Sequence, residues 1–374
     1  MYYLTLSTII FIIFGFVKCF FKINMYSMKC FFLDHGLTMR PDGRVAPCCQ
    51  WYDNKQPQRL TDDWQGHFAK KKEELSKGWI PECRDCEEQE KIVGESDRID
   101  WINGHNSFRL TTEGEKRNYW DLKLHHTCNL TCRMCDSQDS SSWAKLVNQN
   151  PNEDWNPHVV EDRSKRFGWR EKIPELLSNH INELELVKFT GGEPFMIPQV
   201  KQVLQEIDKH GKASEVGVRF TTNATFPLTK EWIALLKKFK HVKFIYSING
   251  IKSRYEYIRQ NADWENTLRN ILFNQDLGFI GASVNDLYQI LSFDMIDEID
   301  DFWKSQNMSC SFAHLTKPEY HSLHALPPHL IKKYNHSDYY KFDQKLFDEF
   351  LKQTEIHDRL YQKNIRKEIP ELFN

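Results

Sequence analysis

The sequence has no surplus of either charge. Lys and Arg number 50 and Asp and Glu 52, so the 374 residues carry a formal net charge of −2 at pH 7. Binding polyanions through bulk electrostatics needs a basic excess, which excludes a generic nucleic-acid binder. Internal repeats and low-complexity tracts are also missing. The 40% hydrophobic content is enough for a core, so wholesale disorder is excluded as well. Cysteine is scarce over most of the chain: after Cys135 only Cys310 occurs. What is present is a cluster, because eight of the ten cysteines lie between Cys30 and Cys135. A disulfide framework spreads its bridges through a fold, whereas close spacings such as Cys83-x-x-Cys86 are those of metal ligands.

The first 17 residues carry no charged side chain before Lys18. The run is slightly short of the roughly 20 apolar residues of a spanning helix. It lacks the basic start and small-residue cleavage site of a secretory signal. If it spans, Lys18, Lys22 and Lys29 place the bulk of the chain in the cytoplasm. If translation starts at Met25 or Met28, the segment is an extension. Neither reading exports the cysteines. The expectation is a cytoplasmic chain, or one anchored in a membrane with its bulk facing the cytoplasm; a membrane is a partner only if residues 1–17 are an anchor.

At roughly 150 residues per domain the length points to about two domains. The chain divides into an apolar leader (1–28), a cysteine-bearing, loop-rich stretch (29–112), an alternating stretch (113–325) and a charged, aromatic-rich tail (326–374). In the second part a helix is expected over Asp62–Lys77, with Trp64, Phe68 and Leu75 on one face. Met39 to Cys48 reads as a hairpin turning at Pro41-Asp42-Gly43. In the third part β-type runs occur at Asp121–His125, Leu184–Phe189, Val216–Thr221, Val242–Ser247, Ala282–Ile290 and Ser309–Leu315. Helical stretches such as Pro198–Lys209, Lys230–Phe239 and Ser253–Phe273 separate them. This alternation predicts an α/β fold with a parallel sheet and crossover helices, whose chemistry gathers at the C-terminal ends of strands. In the tail, Phe342, Leu346 and Phe350 predict an amphipathic helix packed on the main domain.

The first of these strands runs into Cys128-x3-Cys132-x2-Cys135. Three thiolates hold a 4Fe–4S cubane with one iron open to a small molecule. A structural zinc site wants a fourth ligand, for which His125 or His126 stands nearby. Behind the next three strands come Thr190-Gly191-Gly192-Glu193-Pro194, Thr221-Thr222-Asn223-Ala224 and Ser247-Ile248-Asn249-Gly250, with Arg259 twelve residues past Ser247. Two glycines at a strand end let backbone approach a ligand, a carboxylate such as Glu193 can meet an ammonium, and a guanidinium grips a carboxylate bidentately.

These elements, in this order, resemble the motifs of radical S-adenosylmethionine (SAM) enzymes. The resemblance implies a partial (β/α)6 TIM-like barrel. It makes Cys128, Cys132 and Cys135 the ligands of a SAM-binding 4Fe–4S cluster, and puts Met134, Thr190, Gly191, Gly192, Glu193, Thr222, Asn223, Ser247 and Arg259 around SAM. Arg254 is a less well spaced alternative to Arg259. Met134 stands where an aromatic residue is usual and can still pack on adenine. Asn249 replaces the usual Asp, removing a charge near the ribose.

A second set of thiols, Cys30, Cys48, Cys83 and Cys86, makes a complete donor set for a closed 4Fe–4S cluster or an all-cysteine zinc site. Cys49 is an alternative to Cys48. The spacing Cys30-x12-Gly43-x4-Cys48, with Gly94-Glu95-Ser96-x-Arg98 further on, resembles the SPASM and twitch domains that carry auxiliary clusters. Here the domain precedes the core it usually follows.

The activity implied is reductive cleavage of SAM to methionine and a 5′-deoxyadenosyl radical, which takes hydrogen from a peptide or small-molecule substrate. A flavodoxin or ferredoxin is the implied reductant. The rival reading is a non-catalytic zinc-binding scaffold. No residue is singled out as a substrate-side acid or base, and Cys310 is read as a packed thiol.

Overall fold

Every β-type run read between residues 117 and 316 is a strand of one sheet, with only its ends displaced. The computed structural model describes residues 28–52, 57–104, 109–157, 172–279, 282–336 and 339–373. The expectations for the leader therefore fall outside the described residues, Met28 apart. Among the described residues no helix is long and apolar enough to cross a membrane.

The strands are β1 (Gly36–Met39), β2 (Arg44–Ala46), β3 (Gln58–Arg59), β4 (Tyr119–Leu122), β5 (Thr131–Cys132), β6 (Leu186–Phe189), β7 (Gly217–Thr222), β8 (His241–Ser247), β9 (Arg259–Gln260), β10 (Ala282–Tyr288) and β11 (Ser309–His314). Nine form one sheet in the order β11-β10-β8-β7-β6-β4-β1-β2-β3, and β5 pairs with β9 apart from it. From β4 to β11 neighbours in the sheet are parallel. Successive pairs are joined by helices, including Pro198–Lys209, Lys230–Leu236 and Ile296–Ser305. This is the curled α/β sheet of a partial barrel, with β11 and β3 as its edges.

The register explains the two faces. Trp120, Val187, Val218 and Val242 stand side by side across β4, β6, β7 and β8 and are buried in the main core. That core also takes Val200, Val203, Leu204 and Ile207 from the 198–209 helix. The alternate residues face the other way. There Asp121 accepts hydrogen bonds from Lys188 Nζ at 2.8 Å and from Thr190 Oγ1 at 2.8 Å.

The cysteine-bearing stretch joins this sheet directly. The hairpin turns where Pro41-Asp42-Gly43 predicts, with Gly43 N donating to Arg40 O at 2.9 Å. Its first strand, β1, then pairs in parallel with β4, Thr38 opposite Asp121. The predicted helix spans Trp64–Ser76, and Trp64, Phe68 and Leu75 are its buried residues. Asp63 caps it by accepting from Gly66 N at 3.0 Å.

Two expectations need correction. The single helical stretch Ser253–Phe273 is two helices, Lys252–Ile258 and Trp264–Asp276, interrupted by β9. The chain turns at Asn261, whose φ is +72°, and the second helix restarts where Asp263 accepts from Asn266 N at 2.6 Å. The tail helix is present but spans Gln344–Tyr361, so Phe342 lies before it.

Candidate active site

The three-thiol loop is shaped by its own chain before it meets anything distant. Cys135 N donates to Cys132 O at 2.9 Å. The serines that start the Ser141–Gln149 helix close on the loop: Ser140 Oγ donates to Leu130 O at 2.6 Å and Ser142 Oγ to Cys128 O at 2.8 Å. Trp143 Nε1 adds a bond to Cys132 O at 2.8 Å. Across the loop, β5 and β9 pair Cys132 with Arg259.

Cys128, Cys132 and Cys135 line one cavity of about 960 Å³. Its wall also holds Met134, Thr190, Gly191, Gly192, Thr222, Asn223, Ser247 and Arg259. Apart from Met134, which follows β5, and Arg259 in β9, these residues lie at or just beyond the ends of β6, β7 and β8, where ligands gather in α/β folds. Arg259 is nearly buried. Its Nε donates to Ile248 O at 2.7 Å, its Nη1 lies 3.5 Å from Cys132 Sγ, and its Nη2 donates to Asn249 Oδ1. Arg254 is committed elsewhere, to Asp294 at 2.8 Å and to the backbone of Leu291 and Glu368. The geometry therefore selects Arg259.

Glu193 is the exception among the expected residues. Its side chain does not line the cavity and is 0% exposed. Its carboxylate accepts from Thr222 Oγ1 at 2.8 Å, Asn223 N at 2.8 Å and Phe195 N at 3.2 Å. It thus ties the glycine turn to the end of β7 instead of meeting an ammonium in the cavity. Burial holds this carboxyl up to about 7, against the bonds from Asn223, Thr222 and Phe195 and the nearby charge of Arg259. Gly191 and Gly192 both have positive φ. A Cβ on Gly192 would sit 2.3 Å from Thr127 O, so only glycine lets this turn press against the residue before Cys128.

The site fits a three-cysteine cluster with SAM. Burial pushes the Cys128 thiol up to about 12 and raises Cys132, opposed there by Arg259. Such thiols gain from a metal that takes their protons' place. Among the described residues no group of three or more His, Cys, Asp or Glu side chains is gathered to hold a metal ion. Three thiols set along the wall of a wide cavity suit a larger group. His125 and His126 are not among the cavity-lining residues; His125 Nδ1 accepts from Thr127 N at 3.0 Å.

Cys30, Cys48, Cys83 and Cys86 line a second, small cavity. Cys49 lines the large one, with its thiol 3.8 Å from Asp97 Oδ2. Adjacent residues in the chain thus face different spaces, and Cys48 is the member of the four-thiol set. That cavity is only about 10 Å³, the room of about one water-sized sphere. The hairpin contributes Thr38 and Arg40 to the wall of the large cavity, and the residues after it Trp51 and Tyr52. Cys310 packs against the main core.

Arg133, Lys123 and Asp139 carry site geometry that motif spacing passes over. Lys123 reaches Asp139 at 2.5 Å on the cavity wall. Arg133 was findable only as a charge between two cysteines.

The three-thiol loop thus opens onto a cavity at the strand ends of a partial α/β barrel. Residues 122–302 match the model of the Radical SAM superfamily, and the chain carries a radical SAM domain. It is 22% identical over 194 residues to a GTP 3′,8-cyclase of Clostridium botulinum strain Hall, covering 52% of this chain and 54% of that one. The same figures hold for the enzyme of strain Okra. The chain thus spans about half the length of the curated relatives it matches. Among solved structures, anSMEcpe with bound AdoMet shares 15% identity over 66% of this chain and 62% of its own, with a TM-score of 0.40. SuiB of Streptococcus suis bound to S-adenosylmethionine shares 15% over 86% and 58%, with a TM-score of 0.35.

Proposed function

We propose that this chain cleaves SAM reductively and abstracts hydrogen from a peptide or small-molecule substrate. One observation carries the reading: Cys128, Cys132 and Cys135 open onto the same cavity as Gly191, Gly192, Asn223, Ser247 and Arg259. Cys128, Cys132 and Cys135 would hold a 4Fe–4S cluster, which would supply the electron for reductive cleavage of SAM. The protein binds, orients and excludes water. The glycine turn offers backbone to the methionine end of SAM, and Arg259 offers a guanidinium held by Ile248 and Asn249. Met134, packed against an apolar cluster that includes Ile258, Ile290 and Phe350, presents an apolar side chain on the wall. Beyond SAM, the hairpin residues bound the room left for substrate, and a flavodoxin or ferredoxin is the proposed electron donor.

The four N-terminal thiols are a proposed second metal site. Resemblance to twitch and SPASM domains supports an auxiliary 4Fe–4S cluster, and four cysteines are equally a complete donor set for zinc. Metal analysis separates the two: about eight iron per chain for two clusters, or about four iron and one zinc.

The test of the main reading is release of 5′-deoxyadenosine from SAM under dithionite by anaerobically purified protein. Release should vanish in Cys132→Ala and persist in Cys83→Ala. A colourless protein with stoichiometric zinc and no release would refute it.

A further inference from the structure

The tail helix reaches the three-thiol loop through Asp358 and Tyr361, neither of which lines the cavity. Arg133, between Cys132 and Met134, has a side chain 1% exposed. Its Nη2 donates to Asp358 Oδ1 at 2.5 Å and its Nε to Tyr257 O at 2.8 Å, with the guanidinium 3.8 Å from the Tyr257 ring centroid. Tyr257 OH donates to the same Asp358 oxygen at 3.0 Å, and Asp358 Oδ2 accepts from Ile365 N at 2.6 Å. Asp358 is thus bound both to the loop that carries Cys132 and to the segment that leads into Arg259.

Those two segments are also paired with each other. Arg133 N donates to Ile258 O at 2.9 Å, and Cys132 stands opposite Arg259. One turn further along the helix, Tyr361 OH shares a 2.6 Å bond with Thr131 Oγ1. The guanidinium of Arg133 is buried, so its charge depends on Asp358: a buried cation without its partner is strongly unfavourable and drives rearrangement.

We propose that Asp358 is a positioning residue for SAM cleavage, holding Cys132 and Arg259 in fixed relation through Arg133 and Tyr257. The proposal rests on the radical SAM reading and extends it to a helix outside residues 122–302, the span of the matched family. Asp358 does not line the cavity. It sets the separation between the Cys132 thiol and the Arg259 guanidinium, which do.

Hydrogen exchange on the iron-loaded protein tests this directly, alongside KM and kcat for SAM cleavage. In Asp358→Asn, exchange across residues 128–135 and 257–261 should quicken about tenfold, the scale of one lost charge-assisted bond. KM for SAM should rise by a similar factor, while iron content and exchange in the 198–209 helix stay unchanged. Asp358→Glu should restore most of the loss. Unchanged loop exchange and unchanged KM in Asp358→Asn would overturn the proposal. So would equal loosening in Glu153→Gln, which breaks only the exposed pair with Arg359 on the same helix. Should Asp358→Asn fail to fold, Tyr361→Phe decides, with about threefold faster exchange at residues 128–135 expected and no change counting against. A wild-type protein that holds iron but never cleaves SAM would defeat the functional reading, while the exchange data would still judge the positioning.

Discussion

Gly192→Ala isolates the contact between the glycine turn and the cluster loop, and the structure sets its size. The residue has φ +51°, and its added Cβ would lie 2.3 Å from Thr127 O and 2.9 Å from His126 C. An ordinary carbon–oxygen contact is about 3.3 Å, so Thr127 O must retreat by about 1 Å. That movement breaks the 2.7 Å bond it accepts from Glu193 N, a loss of about 1 kcal/mol. Left-handed strain adds about 1–2 kcal/mol. The total, about 2–3 kcal/mol, predicts a Tm lowered by about 5 °C. Gly211→Ala is the control: φ is +72° there, yet no atom lies within 4 Å of the added Cβ, so strain acts alone. The two variants should part most in function. Thr127 immediately precedes Cys128, and a 1 Å displacement in an active site costs about a hundredfold. The assay is 5′-deoxyadenosine release against SAM concentration, with thermal melts of both variants. Gly192→Ala should lose about a hundredfold in kcat/KM, and Gly211→Ala should stay within about twofold of the parent. Equal SAM cleavage by the two would refute the reasoning.

Three further outcomes rest on the same geometry. Arg259→Lys should raise KM for SAM by about tenfold, because a point charge replaces a fork; Arg254→Ala should lower Tm and leave KM alone, since Arg254 serves Asp294 and the tail. Burial raises the Glu193 carboxyl from 4.5 to about 7, so its contribution to stability is complete below pH 4.5 and is lost as pH rises through about 7. Melts of Glu193→Gln should therefore show a flatter decline between about pH 5 and 8 than the parent, and an identical decline would count against this. In anaerobic alkylation the exposed Cys49 should be modified before the buried Cys86 and the half-buried Cys48; labelling of Cys48 first would contradict the division of the two neighbours between cavities.

Much of the site is readable from the chain because it is local. Cys128, Cys132 and Cys135 lie within one loop, and the glycine turn and the Thr222-Asn223 turn each come after a strand with clear apolar periodicity. The stretch Ser253–Phe273 misleads because its apolar spacing continues through residues that turn the chain; Asp263, a capping residue ahead of Trp264, is the sign of the restart. The direction of Glu193 was not readable at all. Its motif position is the same whether the carboxylate faces the cavity or the β7 end, and the donors that decide, Thr222 and Asn223, belong to another strand.

The sequence by itself determined the alternation of strands and helical stretches along the chain, and the loop of three thiols placed to meet a cofactor. These are properties of spacing, and spacing is a short-range quantity that survives in the unfolded chain. Only the tertiary structure decided that Arg259 and not Arg254 enters the cavity, that Cys48 and Cys49 face different spaces, and that Asp358 holds Arg133 across 225 residues of chain. Periodicity says which face of an element is buried, but not which distant element will cover it. Partner choice is settled by packing and by the cost of leaving a buried charge alone, and neither exists until the chain has folded.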